Sequence, residues 1–432
     1  MNVILDRPNT TRAYWFAFFA LQLLIVPLVP YTIKFIILSL SMFWILLSMK
    51  VIKKYIFNFI WPLLAILCIG AISGLENFIK DPYLYSRGFY YFLQPLLLIF
   101  IGFMAVGKTT GLGFKMILRL IIYSALALTF LSYANLLVDL IFGLNFSLET
   151  RYEYGLNSDF AVLGIMLVYI SYLTNYRIFK KTTEISLTII FFVFILISLS
   201  RTNILIMLLI LAYPYMARMI SFNKQLFIVT AIIFSLVFLG SFFQIALPEN
   251  YADNFTSKLM NSYAEVLVRD NVANDDMDSN DYASVNLYWR SQEAFLGLSL
   301  FLEGSFTQLF FGQGYGTYAD GSIYFEDKFQ QIPIFHNGFI TIVLKSGFIG
   351  LLLYIYFLFL FSKLSLTVSH YDNRPEFSFI KLAVPCIIYM SLFKTFFIMG
   401  FYTPQAPVLL LISFGVFIKK IGYNMYVDKL KI

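Results

Sequence analysis

The chain has 432 residues, of which 60% are hydrophobic and only 13% charged. A soluble domain carries about a quarter charged residues, so this composition excludes an ordinary water-soluble enzyme and points to membrane spans. The formal net charge of +7 sits between long apolar runs. It therefore reads as positive-inside bias, not as a nucleic-acid footprint, and no nucleic-acid partner is expected.

In lipid every backbone N–H and C=O must be satisfied within the protein, and these runs are solidly apolar instead of alternating, so they should be helices. The expected fold is an all-α integral membrane protein of about twelve transmembrane helices with one large non-cytoplasmic loop. The spans are expected at Ala13–Pro30, Tyr31–Met49, Tyr55–Gly74, Gly88–Val106, Met116–Val138, Leu156–Tyr176, Ile185–Ser200, Thr202–Met216, Leu226–Leu247, Phe335–Phe361, Leu382–Phe401 and Pro404–Ile418. Arg7 and Arg12 precede the first run, but Pro27 and Pro30 follow it in place of a small-residue cleavage site, so no cleavable signal peptide is expected. Cys68 and Cys386 lie in apolar runs and suggest neither a disulfide framework nor a metal cluster.

Two of these spans come from splitting longer runs. Ile185–Met216 as one helix would be about 48 Å long, against a hydrocarbon core of about 30 Å. It is also flanked by Arg177, Lys180 and Lys181 on one side and by Arg218 and Lys224 on the other. Both clusters favour the cytoplasm, so the chain should cross twice and turn at Ser200–Thr202. The same parity between Lys381 and Lys419/Lys420 places a turn at Thr403–Pro407. Both termini are then cytoplasmic. Residues 1–247 hold helices one to nine, residues 248–334 the large loop, and residues 335–432 the last three helices with a short cytoplasmic tail.

The loop opens with an amphipathic stretch, NFTSKLMNSYAEVLVRD, followed by the acidic run NVANDDMDSNDYA. Asp276, Asp278 and Asn280 match the first ligands of an EF-hand, but its glycine position is Asp281 and its closing glutamate position is Leu287. A solvated loop is therefore expected there, and no metal. SVNLYWRSQEAFLGLSLFL reads as a helix and FFGQGYGTYADG as a glycine-rich turn.

The basic residues left on the non-cytoplasmic side, against the bias, are Lys34, Lys80, Arg87, Arg151, Arg201, Lys258, Arg269, Arg290, Lys328, Lys345 and Lys394. Arg201 sits in the turn between two short helices. There it either snorkels and caps helix ends or grips a phosphate with its planar fork. His336 lies where the loop returns to the membrane, in PIFHNGFITIVLKSGFIG. A neutral imidazole there could take a proton from a hydroxyl, or simply hold backbone. Lys345 falls on the helix face opposite His336. Lys345 and Lys394, inside apolar spans, either bind a phosphate or pair with a carbonyl.

Together these segments resemble the O-antigen polymerase and O-antigen ligase family of bacterial surface-polysaccharide enzymes. RYEYGLNSDFAVLG looks like the family's Arg-then-Gly-Leu-x-x-Asn-x-Ala pattern, with Asp159 where Asn is usual. SRT at Ser200–Thr202 looks like its short arginine turn. WRSQEAFLGLSLF…LFFGQGYGTY…FHNGFITIVLKSGFIG resembles its Arg-helix, Gly-x-Gly, His-Asn and Gly-x-x-Gly series. The resemblance implies a GT-C-like glycosyltransferase of the bacterial inner membrane. Such an enzyme would polymerise undecaprenyl-pyrophosphate-linked oligosaccharide units on the periplasmic face, without metal or other cofactor, and with a chain-length regulator and a flippase as candidate partners. His336 would be the base. Arg201 and Arg290 would be catalytic and, with Arg151 and Asn337, would bind pyrophosphate or sugar. The alternatives are a ligase moving the finished chain onto lipid A core, and a transporter of lipid-linked sugars. A transporter should show related halves and broken midplane helices.

Overall fold

The computed structural model describes residues 9–48, 56–107, 112–141, 158–198, 200–219, 293–294, 296–320, 331–367, 374–397, 400–403 and 407–429. Among these the chain is mostly helical: α1 (Asn9–Ile25), α2 (Tyr31–Ser48), α3 (Phe57–Ser73), α4 (Leu75–Lys80), α5 (Pro82–Ala105), α6 (Phe114–Ile141), α7 (Asp159–Thr174), α8 (Lys181–Ile197), α9 (Arg201–Met219), α10 (Phe306–Phe311), α11 (Gly338–Thr367), α12 (Pro375–Phe397) and α13 (Val408–Lys429). The strands β1 (Ala319–Asp320) and β2 (Gln331–Ile332) form one short antiparallel pair, with Ala319 opposite Ile332. A helix occupies every expected span except Leu226–Leu247, which lies outside the described residues, as do the amphipathic and acidic runs of the large loop.

Among the described residues, four helices are long and apolar enough to cross a membrane: Pro82–Ala105, Phe114–Ala134, Gly338–Lys363 and Pro375–Phe397, accompanied by shorter apolar helices. Leu40, Phe43 and Leu47, spaced along one face of α2, are 61–69% exposed. An apolar stripe at helical spacing is what a lipid-facing side requires. Inside, α5 packs closely on α13: a methyl group on Gly102 would lie 2.0 Å from the Ile412 carbonyl oxygen. With lipid as apolar as any side chain, such close backbone approach is a main source of helix–helix cohesion.

Local chemistry sets the helix ends. Asp81 caps α5 by accepting from the Leu84 N–H at 2.9 Å, with Pro82 in the first turn where its missing N–H costs nothing. Between α7 and α8 the chain turns around the fully buried Glu184, which accepts from the Ser171 hydroxyl (2.6 Å), the Arg177 guanidinium (2.9 Å) and the Phe179 N–H (3.2 Å). The expected break between the eighth and ninth elements is present. Helix α8 ends at Ile197 and α9 starts at Arg201.

Helix α11 corrects the expectation of one uninterrupted span from Phe335. It begins only at Gly338 and breaks at Gly347, whose φ of 68° and ψ of −171° are non-helical. The Phe339 and Tyr354 ring centroids are 6.2 Å apart, whereas a straight helix would separate those residues by about 22 Å along its axis. The first segment therefore bends back sharply. The glycine-rich turn fills the break: the Gln313 N–H donates to the Leu344 carbonyl at 2.8 Å. A helix kink leaves carbonyls of this kind in need of a donor.

The same turn then plugs into α3, α4 and α5. Tyr315 is fully buried; its N–H donates to Gly70 (3.0 Å) and its hydroxyl to the Leu67 carbonyl (3.1 Å). Burial raises the phenol well above its ordinary pKa, so it stays a donor. The Asn77 amide donates to the carbonyls of Gln313 and Tyr315, both at 3.0 Å. Gly314 has φ +79° and lies so close to α3 that a methyl there would be 2.0 Å from the Gly74 nitrogen. Glycine is the residue that satisfies both demands.

Candidate functional site

The part of the large loop that precedes the turn is helical over residues 296–302 and packs on the start of α11. Leu296, Leu300 and Phe301 form a small separate core with Phe335, Ile340 and Leu344. Thr341 secures the entry to α11, its hydroxyl lying 3.1 Å from the Phe335 N–H. Asn337 caps the helix: its Oδ1 accepts from the Phe339 N–H (3.0 Å) and the Ile340 N–H (3.3 Å). These contacts fix the residue between Phe335 and Asn337, which is His336.

Glu293, 2% exposed, places one carboxylate oxygen 2.5 Å from His336 Nδ1 and 3.1 Å from the His336 N–H. The imidazole itself is 30% exposed. An ionised Glu293 sets the Nδ1–H tautomer and stabilises the ring when it becomes an imidazolium. This pairing of a buried carboxylate with a partly open imidazole is the arrangement of an oriented general base.

A second polar cluster occupies the same end of the bundle. Lys394 of α12 pairs with Asp159 at the start of α7 (2.9 Å). The Asn203 amide donates to Asp159 (2.9 Å) and to the Ser158 hydroxyl (2.7 Å). Asn203 lies in the first turn of α9, two residues after Arg201, so the arginine's backbone belongs to this cluster. Contacts between α11 and α12 join the two clusters: Phe339 meets Phe396 (6.4 Å between centroids) and the Tyr354 hydroxyl meets Thr395 Oγ1 (2.7 Å).

No family model matches the chain, and no curated protein matches it significantly.

Of the residues expected at the site, His336 and Asn337 are fully described and adjacent, with Asn337 turned to capping. Arg201 opens α9, its side chain outside the described residues, and Arg290 and Arg151 also lie outside them. The two open lysine assignments resolve differently. Lys345 donates to the Thr317 carbonyl, whereas Lys394 takes a carboxylate instead of a carbonyl. Sequence reasoning missed Glu293 and the Asp159–Lys394 pair. Glu293 carried one usable signal, a carboxylate three residues after Arg290 at the start of an apolar run.

Proposed function

We propose that the chain is an O-antigen-polymerase-type glycosyltransferase that joins undecaprenyl-pyrophosphate-linked oligosaccharide units. In this reading about twelve helices cross the bacterial inner membrane, both termini are cytoplasmic, and residues 248–334 lie in the periplasm with the site beneath them. The observation that carries the reading is the Glu293–His336 contact at 2.5 Å, at the bundle end where Arg201 begins its helix. There the large loop supplies the orienting carboxylate to the imidazole.

In the reaction, an acceptor sugar hydroxyl gives its proton to His336 Nε2 as its oxygen attacks the anomeric carbon of the donor. The carbon–oxygen bond to pyrophosphate breaks, and undecaprenyl pyrophosphate leaves with the electron pair. Arg201 and Arg290 balance the charge that develops on that leaving group, as forked guanidinium groups do without a metal. Asp159, paired with Lys394 of α12 and accepting from the Asn203 amide, ties the starts of α7 and α9 together at the helix that Arg201 opens. The pairing accounts for aspartate at a position where the resemblance expects asparagine: the carboxylate neutralises a lysine buried in an apolar helix.

The break in α11 is the one feature a transporter would share. Here, however, residues 312–313 pack into it and Gln313 satisfies the Leu344 carbonyl, so the break is a braced elbow. A deletion strain tests the reading. Loss of this chain should leave lipid A core capped by single repeat units. Bare core would identify a ligase, and an unchanged surface profile would contradict glycosyl transfer altogether.

A further inference from the structure

Three buried or half-buried cations of the described structure are paired with carboxylates: Lys394 with Asp159, Lys420 with Glu376 and Arg177 with Glu184. Arg87 and Lys345 break this pattern. Lys345 is 2% exposed, and among the described residues its ammonium bonds to the neutral Thr317 carbonyl. Arg87 is half-buried on the first turns of α5 and lies over the Tyr83 ring at 5.6 Å. Its Nε is buried and unpartnered. No carboxylate lies within ion-pair distance of either residue among the described residues.

The glycine-rich turn brings these two cations together. Gly88, next to Arg87, packs on Tyr315, and Lys345 holds the carbonyl of Thr317 just beyond. The Arg87 guanidinium lies within electrostatic reach of the Lys345 ammonium. Two like charges drawn out of water repel each other, and an anion placed between them relieves that repulsion. The tyrosine hydroxyls beside Arg87, Tyr31 and Tyr83, bond to each other at 2.7 Å and add donors to the same corner.

We propose that Arg87 and Lys345 form an anion subsite, distinct from His336 and Arg201, that takes the phosphate or pyrophosphate group of a phosphorylated ligand. A planar guanidinium with an ammonium beside it suits tetrahedral phosphate oxygens, and the tyrosines supply neutral hydrogen bonds. The subsite stands on its own geometry. If the polymerase reading also holds, it deepens that reading, because joining two lipid-linked units requires a place for the second pyrophosphate.

The test titrates farnesyl pyrophosphate and inorganic pyrophosphate against the full chain in nanodiscs of zwitterionic lipid. Arg87→Gln and Lys345→Gln should each weaken farnesyl pyrophosphate binding by about tenfold or more, the loss expected for one charge-assisted contact, while His336→Gln should not. Inorganic pyrophosphate binding far more weakly would assign the subsite to a lipid headgroup; equal affinity with the same dependence would assign it to a free anion. Binding of both probes unchanged in Arg87→Gln overturns the proposal, and that variant alone decides if Lys345→Gln fails to fold. Arg201→Ala is run alongside. Its failure to alter binding would count against the glycosyl-transfer site while leaving an Arg87-dependent subsite standing.

Discussion

His336→Ala is expected to lower polymer-forming turnover by on the order of a hundredfold or more, the usual scale for loss of a general base. Donor binding should survive, because the pyrophosphate is held elsewhere. His336→Gln should be about as poor as alanine, since an amide can hydrogen-bond to Glu293 but cannot accept a proton near neutral pH. Glu293→Gln should cost about 10- to 100-fold, the value of one charge-assisted hydrogen bond. That loss should fall on kcat and leave KM nearly unchanged, because Glu293 positions the ring and does not touch the sugar. Glu293→Asp should recover part of the rate. If Glu293 serves only to brace the loop, its variants should lose folded protein in step with activity, and kcat per folded molecule should stay at the wild-type value.

Tyr315→Ala should cost about 3–5 kcal/mol, the range for emptying a large buried aromatic site. That is a large share of a typical folding stability of about 5–15 kcal/mol. The ring packs against Tyr85, Phe89 and Phe92 with centroids 5.0–6.0 Å away and seals the turn between α3 and α5. Tyr315→Phe keeps that packing and removes only the hydroxyl bond to Leu67, so it should cost about 1 kcal/mol. Thermal unfolding in detergent reads the difference. Equal melting temperatures for the alanine and phenylalanine variants would show that the turn is not wedged into the helices by this ring.

Helices were legible wherever a solidly apolar run met a charged boundary, because lipid leaves the backbone no other choice. Charge parity placed a turn at Ser200–Thr202, which hydropathy alone would run through, and the helix breaks just before it, between Ile197 and Arg201. The elbow at Gly347 was not legible in the same way: Lys-Ser-Gly interrupts an apolar run too briefly to disturb its periodicity. Only the pairing of Gln313 with Leu344 explains why the helix breaks there. The site was half visible. His336 stood out as a rare residue at a loop–membrane junction. Glu293 and the Asp159–Lys394 pair did not, because each is a contact between distant segments that local spacing does not encode. Lys345 was read as a carbonyl or phosphate partner, and its carbonyl at Thr317 is now identified.

The central claim is best tested with purified chain in liposomes, supplied with undecaprenyl-pyrophosphate-linked repeat units and no nucleotide sugar. The wild-type protein should convert the single units into a ladder of longer lipid-linked oligosaccharides, and His336→Gln at equal folded amount should leave them single. A wild-type protein that leaves the units unjoined, or a glutamine variant that builds the same ladder, would contradict the account.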